Sequence, residues 1–488
     1  MDGKVSSNAV PVANVPNSDR ISRLNKQFFV EFKCNPSFYV KVPGRVNIIG
    51  EHIDYCGYPV LPMALEQDIL IAARVLNEPK IHIQNIDTKY GKYDLPITNN
   101  FGELEIKPDT NGKPFWYNYV LCGIKGALEF FNKEKINGVQ FLIDGNIPPA
   151  SGLSSSSALV SAACLAFMYA QNEIPNKTEI ASLCAKSERY VGTQGGGMDQ
   201  AIAFLAEKYS AKYITFKPLN ALPVALPEDA VFVVAHSLAE MNKAATNDFN
   251  RRVIECRLAA KIIGVLEGIS LDNKIVTLSE VQINLSKSLE EMILLVKKHL
   301  PNEIYTKQDI CKILRINEQD MDNLYLTPNT KTLQEFKLKQ RALHVYEEAK
   351  RVEDFRNACS QCRENENGFV NTSNGDVTQN GKNSNKTLNI LGQLMSASHE
   401  SLKTLYECSH DNLDRIVDIS KELDVHCRLT GAGWGGCIVA LCPKDKAEKY
   451  IDTLIEKFYV DYCQLNRSKA KQYIFVTTPN HGAMIYTN

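Results

Sequence analysis

The sequence predicts an α+β fold, on three observations. Strand-like alternation from Ser37 and short apolar runs over Leu61–Val75 mark the part of the chain that ends at about residue 220. Inside that region an apolar strand pattern (Val139, Phe141, Leu142, Ile143) stops at Asp144–Gly145 and gives way, after a proline-stiffened turn, to a run of serines that opens an Ala-rich helix. From Arg251 to Cys359 the pattern turns helix-rich, with Leu278–Leu300 and Leu333–Asp354 at helical spacing. At 488 residues, 44% of them hydrophobic, the chain can bury a sizeable core divided over two or three domains.

Residues 1–20 hold two prolines and few large apolar side chains, and are expected to be a disordered lead. Alternation begins at Ser37 and runs into Pro43-Gly44-Arg45-Val-Asn-Ile-Ile-Gly50-Glu51-His52-Ile-Asp54-Tyr55. A cation, a histidine and two carboxylates stand within ten positions at the end of an apolar strand. Arg45 and Glu51 could simply pair on the surface, but polar groups this dense suit a hydroxyl-rich ligand, which Glu51, His52 and Asp54 could each hold. Trp116 opens a helical pattern and reads as core or as a stacking surface for a base.

The serine run is an anion site in outline. Gly152 lets backbone approach a ligand, the hydroxyls of Ser154, Ser155, Ser156 and Ser157 can bind oxyanions or a metal, and a helix start adds the positive end of its dipole. One cap needs one serine, and here there are four. The nearest approach to a G-x-x-x-x-G-K-[ST] loop, around Gly375–Asn383, fails in spacing and lacks the hydroxyl.

Thr178–Val191 is helical and ends at Gly192; Gly195-Gly196-Gly197 break the chain before it restarts at Met198-Asp199. Glu188 and Asp199 therefore flank a glycine turn and can face one cavity, one as a metal ligand and one as a base. Strands are predicted at Tyr213–Phe216 and Val231–Ala235, and a mobile asparagine-rich surface loop at 363–387. Gly431, Gly433 and Gly436 match G-x-G-x-x-G formally, but Cys437–Leu441 is strand-like where a dinucleotide site needs a helix, so the match is a decoy.

Lys+Arg 55 against Asp+Glu 56 leaves a formal charge of −1, which excludes nucleic acid and an anionic membrane as main partners. Fourteen scattered cysteines behind a start without a signal-like segment point to reduced thiols and a cytoplasmic protein. The one C-x-x-C, Cys359–Cys362, has no second pair to make a metal site. The longest apolar run, Ala158–Ala170, is too short to span a bilayer.

Three ordered signatures carry a resemblance: Gly44–Tyr55, then Pro148 with Gly152-Leu153-Ser154-Ser155-Ser156-Ser157-Ala158, then Leu429–Gly436. Together they resemble the GHMP family of small-molecule kinases, and the first resembles the galactokinase signature within it. The resemblance implies a two-lobed α+β fold, with an amino-terminal lobe over 21–220 and a helix-rich carboxyl-terminal lobe over 221–488. It implies ATP and Mg²⁺ as cofactors and a monomer acting on a small sugar. Asp199 would be the base near the anomeric hydroxyl and Arg45 would stabilise charge. Glu51, His52, Asp54 and Gly196 would surround the sugar together with those two. Gly152, Leu153, Ser154–Ser157 and Ala158 would cradle the triphosphate, with Ser156 or Ser157 and Glu188 on Mg²⁺ and Trp116 near the adenine.

Within the family, Ile53, Cys56, Gly195–Gly197, Glu240–Thr246 and Phe249 resemble the branch that phosphorylates N-acetylgalactosamine. Phe249 stands where galactokinases place a tyrosine, and the lost hydroxyl suits a bulkier 2-acetamido group. The expected product is N-acetyl-α-galactosamine 1-phosphate, formed by direct in-line transfer. Galactose is the alternative acceptor. A non-catalytic sugar sensor would be expected to lose Asp199, Arg45 or the phosphate loop, and a mevalonate-type kinase has no use for Glu51-His52-x-Asp54.

Overall fold

A computed structural model describes residues 8–96, 104–110, 112–131, 136–240, 246–270, 276–367 and 377–487. The chain divides into two compact units, one of Met1–Arg45, Ala64–Lys208 and Pro479–Asn488, the other of Val46–Met63 and Tyr209–Thr478. The expected single boundary near residue 220 is thus corrected. The first crossing falls inside the strand Phe38–Ile49 and the second inside Leu61–Leu76, so Gly50–Val60, with its charged motif, belongs to the second unit. A boundary inside a continuous strand leaves no mark in composition.

The first unit is organised on a seven-stranded sheet ordered Val12–Asn14, Met484–Thr487, Phe38–Ile49, Leu61–Leu76, Gly138–Gly145, Lys80–Asn85, Tyr93–Pro96. The strand before the serine run lies antiparallel to Leu61–Leu76, with Ile143 opposite Ile71, and parallel to Lys80–Asn85, with Phe141 opposite Ile83. Alternation sorts the faces. Leu70, Ala72 and Leu142 pack on the helix Asp19–Phe32 through its Ile21, Leu24 and Phe28. The helix Ser155–Ala170 is buried almost all round, as its Ala-rich sequence permits.

The lead is ordered from Asn8 in this structure, contrary to expectation; residues 1–7 lie outside the description. Val12–Asn14 pairs in parallel with Met484–Thr487, a partner at the far end of the chain. Ser18 caps the helix that follows by accepting from the Ile21 N–H at 3.3 Å. Arg20 then clamps the helix to buried carboxylates, Nε to Asp144 at 3.0 Å and Nη1 to Asp68 at 2.6 Å.

The second unit holds a four-stranded antiparallel sheet ordered His426–Thr430, Cys437–Pro443, Ala230–His236, Ile474–Thr477. The formal dinucleotide fingerprint is the hairpin loop between the first two of these strands, with a strand and not a helix after its last glycine. Its helices include Asp248–Leu266, Leu338–Asn367, Val377–Thr404 and Asp411–Glu422. The expected helical stretch Leu278–Leu300 is two helices, Leu278–Leu285 and Leu289–His299, each opened by a capping box. The asparagine-rich loop expected over 363–387 is corrected at both ends: one helix runs on to Asn367 and the next starts at Val377, while residues 368–376 lie outside the description. Asparagine disfavours helix weakly enough for neighbouring helical turns to carry it.

Candidate active site

In the first unit the site is built on Arg45, which is 2% exposed. Its N–H donates to the Leu153 carbonyl at 3.2 Å and its Nη1 to the Gly152 carbonyl at 2.6 Å, tying the strand Phe38–Ile49 to the serine loop. Gly44 makes that approach possible, because a Cβ there would stand 2.7 Å from the Leu153 oxygen. The other edge of the guanidinium reaches Asp199: Nε and Nη2 lie 2.8 and 2.7 Å from Oδ1.

Ser154 precedes the helix Ser155–Ala170 in a left-handed conformation, φ 63°, and no side chain caps the helix. The Ala158 N–H closes the first turn onto the Ser154 carbonyl at 2.9 Å, so Ala158 spends its donor on the helix rather than on a ligand. The Ser154 hydroxyl is buried with no hydrogen-bond partner. Leaving such a group unpaired costs roughly 1–3 kcal/mol, a penalty that a phosphate oxygen at this helix start would relieve. The loop fits a triphosphate on that ground.

Glu188 opens the 3-10 turn Glu188–Val191 that continues the helix Lys177–Ser187, and Asp199 lies in the first turn of Met198–Leu205. The glycine break brings both carboxylates to Ser157, whose Oγ is 2.7 Å from Glu188 Oε2 and 3.1 Å from Asp199 Oδ2. Ser156 donates to Glu188 Oε1 at 3.1 Å, and Gln200 donates to Oε2. Ser157 has one proton for two carboxylates, so it satisfies them one at a time. Hard oxygen donors this close, two of them carboxylate, fit Mg²⁺. Burial, then the Glu188 charge, push the Tyr119 phenol and the Cys122 thiol above their usual ranges.

Gly195 has open space where a side chain would be, and Gly196 follows it in the same loop. Trp116 starts the helix Trp116–Phe130; its Nε1 donates to the Gly91 carbonyl at 3.1 Å and its ring lies tilted 5.6 Å from Tyr90.

In the second unit the Gly50–Tyr55 loop is held from behind. The Gly50 N–H donates to Glu348 Oε1 at 2.9 Å, and φ 102° makes glycine the fitting residue there. Arg428 Nη2 donates to Glu51 Oε2 at 2.9 Å in a buried ion pair, and Nη1 donates to the Asn47 carbonyl at 2.8 Å. The Glu51 carbonyl lies 3.1 Å from His344 Nε2. His52 is engaged at both nitrogens, Nδ1 with the Tyr55 hydroxyl at 2.7 Å and Nε2 with the Ala432 carbonyl at 2.9 Å. The Tyr55 hydroxyl is in turn 2.7 Å from that of Tyr406. Rings of Phe249, Tyr406 and Trp434 surround His52 at 5.7, 4.7 and 5.9 Å. Asp54 opens a 3-10 turn ending at Gly57. Of the branch-like stretch Glu240–Thr246, residues 241–245 lie outside the description.

Gln200, Arg428, His344, Glu348 and Tyr406 were missed by motif reading. Gln200 and Arg428 adjoin motifs and could have been found there; the other three carry no local signal.

Three family models match the chain: the galactokinase galactose-binding signature over residues 26–75, the GHMP kinases N terminal domain over 118–207 and the GHMP kinases C terminal over 382–460. Among curated proteins, galactokinase of Dictyostelium discoideum is 39% identical, over 97% of this chain and 95% of its own length. Galactokinase of Saccharomyces cerevisiae is 32% identical, over 96% and 95%. A crystal structure of Lactococcus lactis galactokinase complexed with galactose shares the fold with a TM-score of 0.68 at 24% identity, over 95% of this chain and 99% of that one. These names do not carry the finer expectation of N-acetylgalactosamine. Among the described residues no helix is long and apolar enough to cross a membrane. The chain belongs to the galactokinase subfamily of the GHMP kinases, as an ATP-using sugar kinase.

Proposed function

We propose that the chain transfers the γ-phosphoryl group of ATP to the anomeric hydroxyl of galactose, giving α-galactose 1-phosphate and ADP. The observation that carries the phosphoryl transfer is the run of contacts Arg45–Asp199–Ser157–Glu188 at an uncapped helix start, and the galactokinase relatives favour galactose as the acceptor. It supplies what phosphoryl transfer needs: a proton acceptor, a cation for developing charge, and oxygen ligands beside an anion site. Ser154–Ser157 hold the triphosphate, and Ser156, Ser157 and Glu188 would hold Mg²⁺, which would supply positive charge against the phosphates. Asp199 accepts the hydroxyl proton and Arg45 stabilises charge. Gly196, in the same unit as Asp199, contacts the sugar, while in the second unit His52 has both nitrogens engaged by its neighbours.

N-acetylgalactosamine is a second reading of the acceptor, favoured by Phe249. Its phenyl ring lies 5.7 Å from the His52 ring and brings no hydroxyl to that place, which leaves more room for a 2-acetamido group.

ADP release with Mg-ATP is to be compared for galactose, N-acetylgalactosamine and mevalonate, with Asp199→Ala as control. Turnover of one of the two sugars that is abolished in the variant supports the function and selects the acceptor. Tight sugar binding without turnover would overturn it in favour of a sensor.

A further inference from the structure

The geometry points to Gln200 as a positioning residue that aims Glu188 at the metal, an inference that rests on the reading of Glu188 as a Mg²⁺ ligand. Gln200 is 4% exposed and directs its Nε2 at Glu188 Oε2, the same oxygen that Ser157 approaches to 2.7 Å. Glu188 belongs to the turn that ends the helix Lys177–Ser187, where its helical backbone is fixed and its side-chain torsions are left to its partners. Gln200, in contrast, belongs to the helix Met198–Leu205, one residue after Asp199. One helix thereby sets both carboxylates: Asp199 directly, and Glu188 through a neutral amide. An amide suits the task because it fixes the carboxylate without cancelling the charge that a cation needs. A lysine there would compete with the metal, and a carboxylate would repel Glu188.

The test compares wild type with Gln200→Met, which keeps volume and removes the donor, and with Glu188→Gln. Two quantities are read: the Mg²⁺ concentration for half-maximal rate, and Mn²⁺ affinity of the ADP-loaded enzyme by electron paramagnetic resonance. Loss of an outer partner typically weakens metal binding about 10–100-fold. Gln200→Met is expected to weaken both quantities to that extent with the sugar KM and melting temperature unchanged. Unchanged metal affinity in a folded Gln200→Met would overturn the positioning role. Unchanged metal affinity in Glu188→Gln would instead overturn the metal-ligand reading beneath it. If Gln200→Met does not fold, Gln200→Glu takes its place: metal affinity equal to wild type there overturns the proposal, and loss at both readouts supports it.

Discussion

One oxygen of Asp199, Oδ1, takes both the Nε and the Nη2 edge of Arg45, at 2.8 and 2.7 Å, which turns Oδ2 toward Ser157 at 3.1 Å. Arg45 holds the carboxylate by one oxygen and Ser157 by the other, so the two partners together fix it in rotation as well as position. Asp199→Asn should keep the fold and lower kcat by about 10²–10⁴, the range for a lost general base. Arg45→Lys should lower kcat by about 10²–10³, as for one lost charge-stabilising donor. Because the two act as a unit, the double variant should be little slower than Asp199→Asn alone. Steady-state rates of the three variants check this; additive losses would separate the roles.

The Ser154 hydroxyl is buried without a partner and its backbone is left-handed, two costs borne by the protein. Ser154→Gly removes both and should raise stability by about 1 kcal/mol or more while increasing the KM for ATP. Ser154→Ala removes only the unpaired hydroxyl and should stabilise less. Urea midpoints alongside KM values check the pair. A loss of stability in Ser154→Gly would show that the hydroxyl is satisfied in solution.

Arg428 and Glu51 form an ion pair with side chains 0% and 2% exposed. Removing one partner strands the other, at a cost of about 3–5 kcal/mol, whereas removing both is nearly neutral. Arg428→Met should therefore unfold at markedly lower urea, and Arg428→Met/Glu51→Leu should recover much of that loss while binding sugar poorly. Equilibrium unfolding of the two variants reads the difference.

The parts of this site legible in the sequence are those whose chemistry is local. Four serines at a helix start, and two carboxylates about a glycine break, declare an anion and cation site without tertiary knowledge. Arg45 was legible as a cation, but its target lies 154 residues on. The supports of the Gly50–Tyr55 loop were illegible because Glu348 and Arg428 meet it across 298 and 377 residues. The amino-terminal lead misread for the same reason: Val12–Asn14 has no apolar face of its own and is ordered by the strand Met484–Thr487. The helices entering the asparagine-rich stretch show propensity losing to continuity of a long helix.

That lead also makes a prediction. Arg20 bridges Asp68 and Asp144, which are 3% and 5% exposed, and Arg23 and Lys41 reach the same carboxylates at 2.8 and 3.3 Å. Arg20→Ala should destabilise by about 1–3 kcal/mol, less than a fully buried pair because Arg20 is partly exposed and two cations remain. Chemical denaturation measures it, and no change would mean that Arg23 and Lys41 suffice.

The acid side of stability should be governed by the same supports that hold the Gly50–Tyr55 loop. His344 is buried against the Glu51 carbonyl and the Ser401 hydroxyl, and burial holds it down to about 4 from an ordinary 6.5, against the opposing pull of Glu348. Its folded form prefers the neutral ring, so its contribution is complete above pH 6.5 and is lost as pH falls from 6.5 to about 4, where the unfolded chain binds the proton first. For Glu348, burial acts to raise the carboxyl, but the charges of Arg351, Arg428 and His344 and the Ser398 hydroxyl outweigh it and hold it at about 2. Its contribution is complete above the ordinary 4.5 and is lost between 4.5 and about 2. Each window is worth on the order of 3 kcal/mol. Unfolding free energy measured against pH should therefore fall in two successive stages, and His344→Gln should flatten the first while only narrowing the second, because Arg351 and Arg428 still hold Glu348 down. A single stage confined below pH 4.5 in the wild type would show that His344 does not carry the upper one.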